Sequence, residues 1–327
     1  METSDGLFFD VKGLLHPPNR VVAYVRYYPD KRGSRLRNGV RYVKVYDLPK
    51  RRLLLRKRWP YYLYYDEIQG RELQGVAKER VLHLYRPEQR LAVLLHAENR
   101  DGLEASAVRL VELLTQESGL SPNRFGISGS LLVGLHQRDS DIDVVAYGSE
   151  VADQIRRALV VLLEGNKYFH RYSIRDLRRL YKKRGLQGAI TFKNFELQES
   201  RKAFQGRFLT HDYFVRCIKN WREVTEHYGE VRYAQMGECA IFARVVDDTG
   251  SLLTPCRYLI KKVQVLGGPF SHRPSEIVSF RGRFAEQVCE GERVFARGRL
   301  EAVRSKQSQY VRLVIGEGRR DILRTVW

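Results

Sequence analysis

The pattern of apolar and polar positions in the first 65 residues predicts a β-rich N-terminal region. Residues 21–28 combine β-branched and aromatic side chains, a composition typical of a strand. The Pro- and Gly-containing residues 29–33 predict a turn. Residues 40–46 have the same strand-like composition, so we expect them to return beside the first strand and form a hairpin with a basic turn.

Residues 67–118 are predicted to be helical, and the clearest helix covers Glu104 to Ser118. Its apolar side chains recur on one face with the period of an α-helix, and Gly119 follows at the expected end. This helix is expected to pack under a sheet that begins at Phe125. A second amphipathic helix is predicted over residues 150–163, closed by Gly165 and Asn166.

A short strand, a tight turn and a second strand are predicted between these two helices. The first strand leads into Gly129-Ser130, which opens a brief helix. Ten residues later, Asp141 and Asp143 stand two positions apart in the second strand. Side chains at i and i+2 leave a strand on the same face, so the two carboxylates project together while Ile142 faces the core.

The C-terminal third is again predicted to be β-rich, with strands over residues 240–246, 258–265, 277–284, 293–303 and 310–315. In the fourth of these, small apolar residues alternate with mostly basic ones, as in a strand with one buried face. Short strands joined by Gly-containing turns favour a small barrel. An OB-like barrel that binds single-stranded nucleic acid and an accessory sheet that only supports the rest of the chain both fit this pattern.

The composition indicates a polyanionic partner. The chain has 327 residues with 58 Lys and Arg against 38 Asp and Glu, a formal net charge of +20. Nucleic acid is the first expectation and an anionic membrane surface the second, with charge-rich thermal adaptation as the alternative explanation. The four cysteines have no zinc or redox spacing. Without a signal-peptide pattern or a long apolar run, we expect a cytoplasmic protein that does not span a membrane.

The paired carboxylates and the Gly-Ser turn together indicate phosphoryl chemistry. Two adjacent carboxylates repel each other unless a cation lies between them, and such pairs hold Mg²⁺ against phosphates. Backbone N–H groups and a hydroxyl at a Gly-Ser turn suit phosphate oxygens. Asp141 and Asp143 are therefore the candidate metal ligands, and Gly129 and Ser130 the candidate nucleotide-binding residues.

At these residues the chain resembles the DNA polymerase β-like nucleotidyltransferase superfamily, whose signature is a Gly-Ser pair, a spacer of about ten residues and Asp-x-Asp. The resemblance covers roughly residues 105–220. It implies an α+β fold, with a nucleotidyltransferase core of mixed sheet and helices flanked by the two β-rich regions. We accordingly expect an N-terminal accessory region over residues 1–100, β-rich and then helical. A catalytic domain over 101–235 and a β-rich domain over 236–327 would follow.

The resemblance also implies a nucleoside triphosphate such as ATP as substrate, and a two-metal Mg²⁺ site in which Mn²⁺ is an alternative. Such enzymes need a third carboxylate on a neighbouring strand. Asp212 is the best candidate, because residues 207–216 read as a strand. Asp176, Glu196 and Glu199 are rivals, and an ion pair with an arginine is the alternative role for Asp212.

Two basic segments are candidate nucleic-acid contacts. Residues 50–65 alternate basic residues with aromatic ones. This fits either a surface that binds phosphates and stacks nucleobases or a solvated basic turn beside an aromatic core. Residues 171–184 predict a helix whose outer face carries many basic residues and one acid. This fits either a phosphate-contacting face beside the active site or an ordinary solvated helix face. The candidates are Arg51, Arg52, Lys57, Arg58, Arg178, Lys182 and Lys183.

The sequence thus predicts an Mg²⁺-dependent nucleotidyltransferase that acts on a nucleic acid, RNA in preference to DNA. Two alternatives remain open. The chain would either nucleotidylate a protein or small molecule, or bind nucleic acid through a core that has lost activity. The sequence leaves the oligomeric state undetermined.

Overall fold

The computed structural model describes residues 1–318 and 320–326 and shows an α+β chain with three sheets. The N-terminal region contains eight strands and one helix, which in chain order are β1 (Glu2–Thr3), β2 (Phe8–Val11), β3 (Arg20–Pro29), β4 (Arg35–Arg37), β5 (Val40–Lys44), α1 (Leu48–Arg58), β6 (Leu63–Asp66), β7 (Arg71–Ala77) and β8 (Val81–His83). Strands β3 and β5 pair antiparallel, which confirms the pairing predicted for residues 21–28 and 40–46.

Two segments of this region differ from the prediction. Residues 48–58 form helix α1 rather than a basic turn, because Asp47 caps its N-terminus and Pro49 occupies its first turn. Residues 71–77 and 81–83 are strands rather than helix. Strand β7 is held by pairing with β3, and the buried Gln74 side chain accepts a hydrogen bond from Val25 N at 3.1 Å. Tertiary pairing here outweighs the local helical pattern.

The middle region is built around a five-stranded mixed sheet. Its elements in chain order are α2 (Pro87–His96), α3 (Gly102–Ser118), β9 (Phe125–Ile127), α4 (Gly129–Leu132), β10 (Ile142–Tyr147), α5 (Ala152–Gly165), β11 (Phe169–His170), α6 (Ile174–Lys183), α7 (Phe192–Glu199), β12 (Gln205–Phe208) and β13 (His211–Ile218). The strand order is β11-β12-β13-β10-β9, and only the central pair β10–β13 is parallel. Apolar residues of α2, α3 and α5 pack with the sheet in one large core.

Most elements predicted for this region are confirmed. Helix α3 begins at a capping box formed by Asp101 and Glu104 and ends at Gly119 in the left-handed conformation. The strand predicted over residues 207–216 is instead the β12–β13 hairpin, because Leu209 adopts a φ of 51° and reverses the chain. The reversal brings Asp212 onto β13, next to the strand that carries Asp143.

The C-terminal region is a β-barrel. Its strands are β14 (Arg232–Asp247), β15 (Cys256–Gly267), β16 (Glu276–Ser279), β17 (Arg293–Arg304), β18 (Gln309–Ile315) and β19 (Ile322–Thr325). The order β14-β15-β16-β18-β17 closes on itself because β17 also pairs with β14, and β19 lies outside this ring. Four of the five predicted C-terminal strands are confirmed. The strand predicted over residues 277–284 ends at Ser279, and Gly282–Phe284 form a short 3-10 helix. Strand β19 was not predicted.

A partly buried ion pair and buried hydrogen bonds join the barrel to the rest of the chain. Arg71 of β7 contacts Glu317 at 2.5 Å. Glu286 accepts hydrogen bonds from the backbone N–H groups of Ala203 and Phe204 at 3.0 and 2.8 Å. The two hydrogen bonds of Glu286 fix the loop that precedes β17 against the mixed sheet. No helix among the described residues is long and apolar enough to cross a membrane.

Candidate active site

Asp143 is the second residue of β10, and Asp141 directly precedes this strand, which lies between β13 and the edge strand β9. Ile142 between them is fully buried, while both aspartates keep part of their surface exposed. The parallel register pairs Ile142 with Tyr213 and Asp143 with Phe214. Asp143 and Phe214 therefore share one face of the sheet, as the strand alternation predicted for the two carboxylates.

The Gly-Ser turn directly contacts the second carboxylate. Gly129 opens α4 with a φ of +63°, and a Cβ atom there would lie 2.9 Å from Asp143 Cγ and closer still to Oδ2. Ser128 N donates a hydrogen bond to Asp143 O at 2.8 Å, which ties the turn to the strand. Only glycine permits both this backbone conformation and this approach.

Ser130 is the next residue of the turn, and its side chain is almost completely buried. Its Oγ finds no hydrogen-bond partner among the described residues. A buried hydroxyl without a partner is costly, so this atom is a candidate donor to an external acceptor.

The electrostatics of the aspartate pair fit a divalent cation. Burial and, next, the neighbouring Asp141 raise the pKa of Asp143 to about 6, against the opposing effect of Arg216, Arg26 and Lys44. Two repelling, partly desolvated carboxylates are a hard-oxygen donor set of the kind that binds Mg²⁺ together with water and substrate phosphates. The residues present therefore fit the predicted metal.

Asp212 lies near this pair but is held by arginines. It precedes Tyr213 on β13 as Asp141 precedes Ile142 on β10, so the two aspartates occupy adjacent positions on neighbouring strands. Arg179 Nη2 donates to both its carboxylate oxygens at 2.9 and 3.1 Å, and Arg207 Nη1 donates at 2.8 Å. The role of Asp212 as third ligand stays a prediction, with these ion pairs as its observed contacts.

The rival carboxylates have other partners. Glu199 is buried and pairs with Lys202 at 2.8 Å and Arg184 at 2.9 Å. Asp176 forms the capping box of α6 with Ser173. Glu196 lies on α7, three residues before Glu199.

Comparison with known proteins places the chain in a family. It is 32% identical over 328 residues to uncharacterized protein MJ1086 of Methanocaldococcus jannaschii, an alignment that covers 98% of this chain and 94% of that protein. The chain belongs to the family of MJ1086. No family model matches the chain, and no solved structure matches it significantly. Since the two chains align over nearly their whole lengths, all three sheets lie within the region that this family shares.

A second cluster of possible metal ligands, away from Asp141 and Asp143, is explained by helix capping. Asp101, Glu104 and His136 bring their ligand atoms within 4.8 Å of one another, the one such group among the described residues. Asp101 and Glu104 are the capping box of α3, and His136 Nε2 lies 2.6 Å from Asp101 Oδ2. The cluster therefore caps a helix, and we do not assign it a metal.

The candidate nucleic-acid residues of α1 have unequal exposure. Arg51 is buried and its Nε donates to Val45 O at 2.9 Å, so its prediction as a surface contact is wrong. Its aliphatic stem packs inward from the buried face of the helix. Arg52 is exposed but pairs with Glu72 at 3.2 Å. The remaining two bases lie in the last turn of the helix, where Lys57 is exposed and Arg58 stacks on Trp59.

The candidates on α6 form an exposed basic face. Arg178, Lys182 and Lys183 are exposed and have no ion pair with any described residue. Leu177 on the opposite side is buried against the aromatic residues of α7, as the helical pattern predicted. Unpaired exposed bases on one helix face suit a phosphate backbone better than internal pairing.

The sequence analysis missed other basic residues near Asp143. Arg26 of β3, Lys44 of β5 and Arg216 of β13 all act on its carboxylate. Arg216 follows the same strand alternation as Asp212 and Phe214, and this signal was available in the sequence. Arg26 and Lys44 approach from the N-terminal sheet, which no local pattern indicates.

Proposed function

We propose that this protein is an Mg²⁺-dependent nucleotidyltransferase. The observation that supports it most strongly is the contact between the Gly-Ser turn and the second carboxylate of the Asp-x-Asp strand. A turn that offers N–H groups and a hydroxyl lies against two carboxylates that favour a cation. That arrangement suits a nucleotide whose phosphates bridge a metal and a helix start.

In the proposed reaction, an acceptor hydroxyl forms a bond to the α-phosphorus and the bond from that phosphorus to pyrophosphate breaks. Asp141 and Asp143 would hold Mg²⁺, which neutralises phosphate charge and polarises the phosphorus when it is bound. The Ser130 hydroxyl would donate to a phosphate oxygen. Asp212 would complete the carboxylate set and accept the proton of the acceptor hydroxyl.

A nucleic-acid acceptor is supported by the exposed face of α6, and we propose RNA in preference to DNA. Arg178, Lys182 and Lys183 project from a helix whose Arg179 contacts Asp212. Basic residues without ion pairs to described residues therefore lie on the helix that contacts the candidate third carboxylate. The closed five-stranded ring of the barrel supports an OB-like assignment for the C-terminal region, a shape that binds single strands.

A second candidate function is nucleic-acid binding without transfer. The ion pairs of Asp212 favour it, because a carboxylate that is neutralised by two arginines is a weaker metal ligand and proton acceptor. Nucleotidylation of a protein or a small molecule is the third possibility, although it leaves the basic surplus without a role.

Transfer of label from α-³²P nucleoside triphosphates with Mg²⁺ to pooled tRNA, other RNA, DNA and protein separates these functions. Label on RNA that is absent with Asp141→Ala/Asp143→Ala supports the proposal. Label on protein alone indicates a protein-modifying enzyme. If no acceptor is labelled and both forms still bind RNA, the binding protein is the better account.

A further inference from the structure

Five basic side chains from three parts of the chain converge around Asp10 and Asp143. We call them the central basic cluster, and they are Lys12, Arg26, Arg51, Arg216 and Arg281. The first three belong to the N-terminal sheet and α1, Arg216 belongs to β13, and Arg281 belongs to the loop after β16 of the barrel.

The barrel approaches the active face through Gly282. A Cβ atom on this buried glycine would lie 2.7 Å from Phe214 Cε1, so the backbone of the loop lies on the Phe214 ring. Phe214 pairs in register with Asp143 and shares its face of the sheet. This contact between barrel and sheet brings Arg281, the residue before Gly282, to the edge of the carboxylate site.

The N-terminal sheet approaches the same place from another side. Arg26 lies on the face of β3 opposite the buried Val25 and Tyr27, and its Nε is 3.6 Å from Asp10 Oδ2. The Arg216 guanidinium lies 5.7 Å from the centroid of the Phe214 ring. Arg26 and Arg216 both lie close enough to Arg281 for their positive charges to act on it.

The cluster has too few acids to balance it. Asp10 forms an ion pair with Arg26, and Arg216 and Arg281 form no ion pair with any described residue. Asp143 attracts Arg26, and Glu317 attracts Arg281, so three acids face five basic groups. Burial and then the neighbouring arginines lower the pKa of Arg281. Burial also lowers the pKa of Arg51 to about 10, and that of Lys12 to about 8 despite the attraction of Asp10. Desolvated cations that repel one another are destabilising unless an anion joins them.

We propose that the polyphosphate chain of the nucleotide binds at the central basic cluster, with Arg26, Arg216 and Arg281 as its ligands and Lys12 and Arg51 behind them. We call this proposed binding site the cleft. This inference rests on the proposed function for the identity of the nucleotide. The barrel and the N-terminal sheet are then parts of the nucleotide site. Arginine suits the role because its planar fork binds phosphate oxygens in pairs.

Binding of inorganic tripolyphosphate, measured by isothermal titration calorimetry on the full chain, tests the cleft without any transfer. Each of Arg216→Gln and Arg281→Gln should weaken binding at least about tenfold, the loss expected for one charge-assisted hydrogen bond. Arg273→Gln is the matched control, since Arg273 is an exposed barrel arginine, and it should bind as the wild type does. Arg281→Lys should recover part of the affinity.

Thermal unfolding separates binding from folding. Without ligand, Arg281→Gln should be at least as stable as the wild type, because it removes a repelled cation. Tripolyphosphate should then raise the melting temperature of the wild type more than that of Arg281→Gln. A purely structural Arg281 would give the opposite result, a destabilised variant with unchanged affinity.

The inference and the proposed function fail in different ways. If the wild type transfers label but Arg281→Gln binds tripolyphosphate as Arg273→Gln does, the cleft assignment is overturned and the transferase stands. If tripolyphosphate binds with the expected losses and nothing is labelled, the cleft stands and the transferase fails. If tripolyphosphate does not bind, while a single-stranded RNA without a 5′-triphosphate binds and loses affinity in Arg281→Gln, the cleft belongs to RNA and the inference is wrong.

Discussion

Replacement of Gly129 by alanine tests the contact on which the site depends. The new Cβ would lie 2.9 Å from Asp143 Cγ and closer to Oδ2, a separation that real Cβ atoms do not show. The carboxylate must therefore move away from the turn. Alanine must also adopt a φ of +63°, which glycine accepts without strain.

These two effects have different magnitudes and different readouts. The left-handed backbone costs alanine about 1 kcal/mol, which lowers stability but does not by itself change the site. To reach ordinary van der Waals contact the carboxylate must shift by more than about 1 Å. A shift of that size in a reacting group reduces rates by about 100-fold, or about 2.7 kcal/mol in activation free energy.

Gly119→Ala is a matched control for the free-energy cost of placing alanine in a left-handed backbone conformation. Gly119 ends α3 with a φ of +68°, and no described atom lies within 4 Å of the Cβ that alanine would add. Both variants should lose about 1 kcal/mol in urea unfolding. Only Gly129→Ala should lose label transfer and Mg²⁺-dependent nucleotide binding, measured as initial rate and dissociation constant. Equal transfer by the two variants would refute the role of the Gly129–Asp143 contact.

Three further outcomes follow from the charged groups. Glu199→Gln should destabilise the chain by about 3 kcal/mol in urea unfolding, because it leaves Lys202 and Arg184 buried without their acid. A loss below about 1 kcal/mol would contradict this expectation. It would show that the free-energy cost of burying Lys202 cancels the gain from its ion pair, in line with the lowering of the Lys202 pKa by burial. Burial raises the pKa of Glu199 and Glu317, but their basic partners outweigh burial and lower both pKa values to about 2. The stability that these two carboxylates contribute is therefore complete above pH 4.5 and is lost as the pH falls toward 2. Unfolding free energies at pH 6 and pH 3 should differ accordingly, and by less in Glu199→Gln. Asp212→Asn should reduce transfer at least about 100-fold if its carboxylate accepts the proton, whereas retained transfer with lower stability would leave it only its ion pairs with arginine.

The elements around the site could be predicted from the sequence because their signals are local. The Asp141–Asp143 alternation, the Gly-Ser turn and the helix ending at Gly119 each depend on a few adjacent residues. Four of the five predicted barrel strands were found for the same reason, since alternation in residues 293–303 is a short-range pattern. Closure of the ring depends on the pairing of β14 with β17, which no local pattern encodes.

The errors arose where distant contacts decide the structure. Strand β7 forms because it pairs with β3, some 50 positions earlier, and because the buried Gln74 side chain accepts a hydrogen bond from Val25 N. Arg51 resembles a surface base in sequence, yet the helix turns it inward to Val45. Arg26, Arg216 and Arg281 meet only through packing of three sheets, so their convergence could not be read from any one segment.

The central claim is transfer of a nucleoside monophosphate at Asp141 and Asp143, and product identification tests it most directly. Mass spectrometry of the labelled acceptor, with parallel assay of pyrophosphate and orthophosphate, would be compared between wild type and Asp143→Asn. We predict that the wild type adds one nucleoside monophosphate per pyrophosphate released, and that Asp143→Asn does neither. Release of orthophosphate without a change in acceptor mass, or equal transfer by Asp143→Asn, would contradict the account.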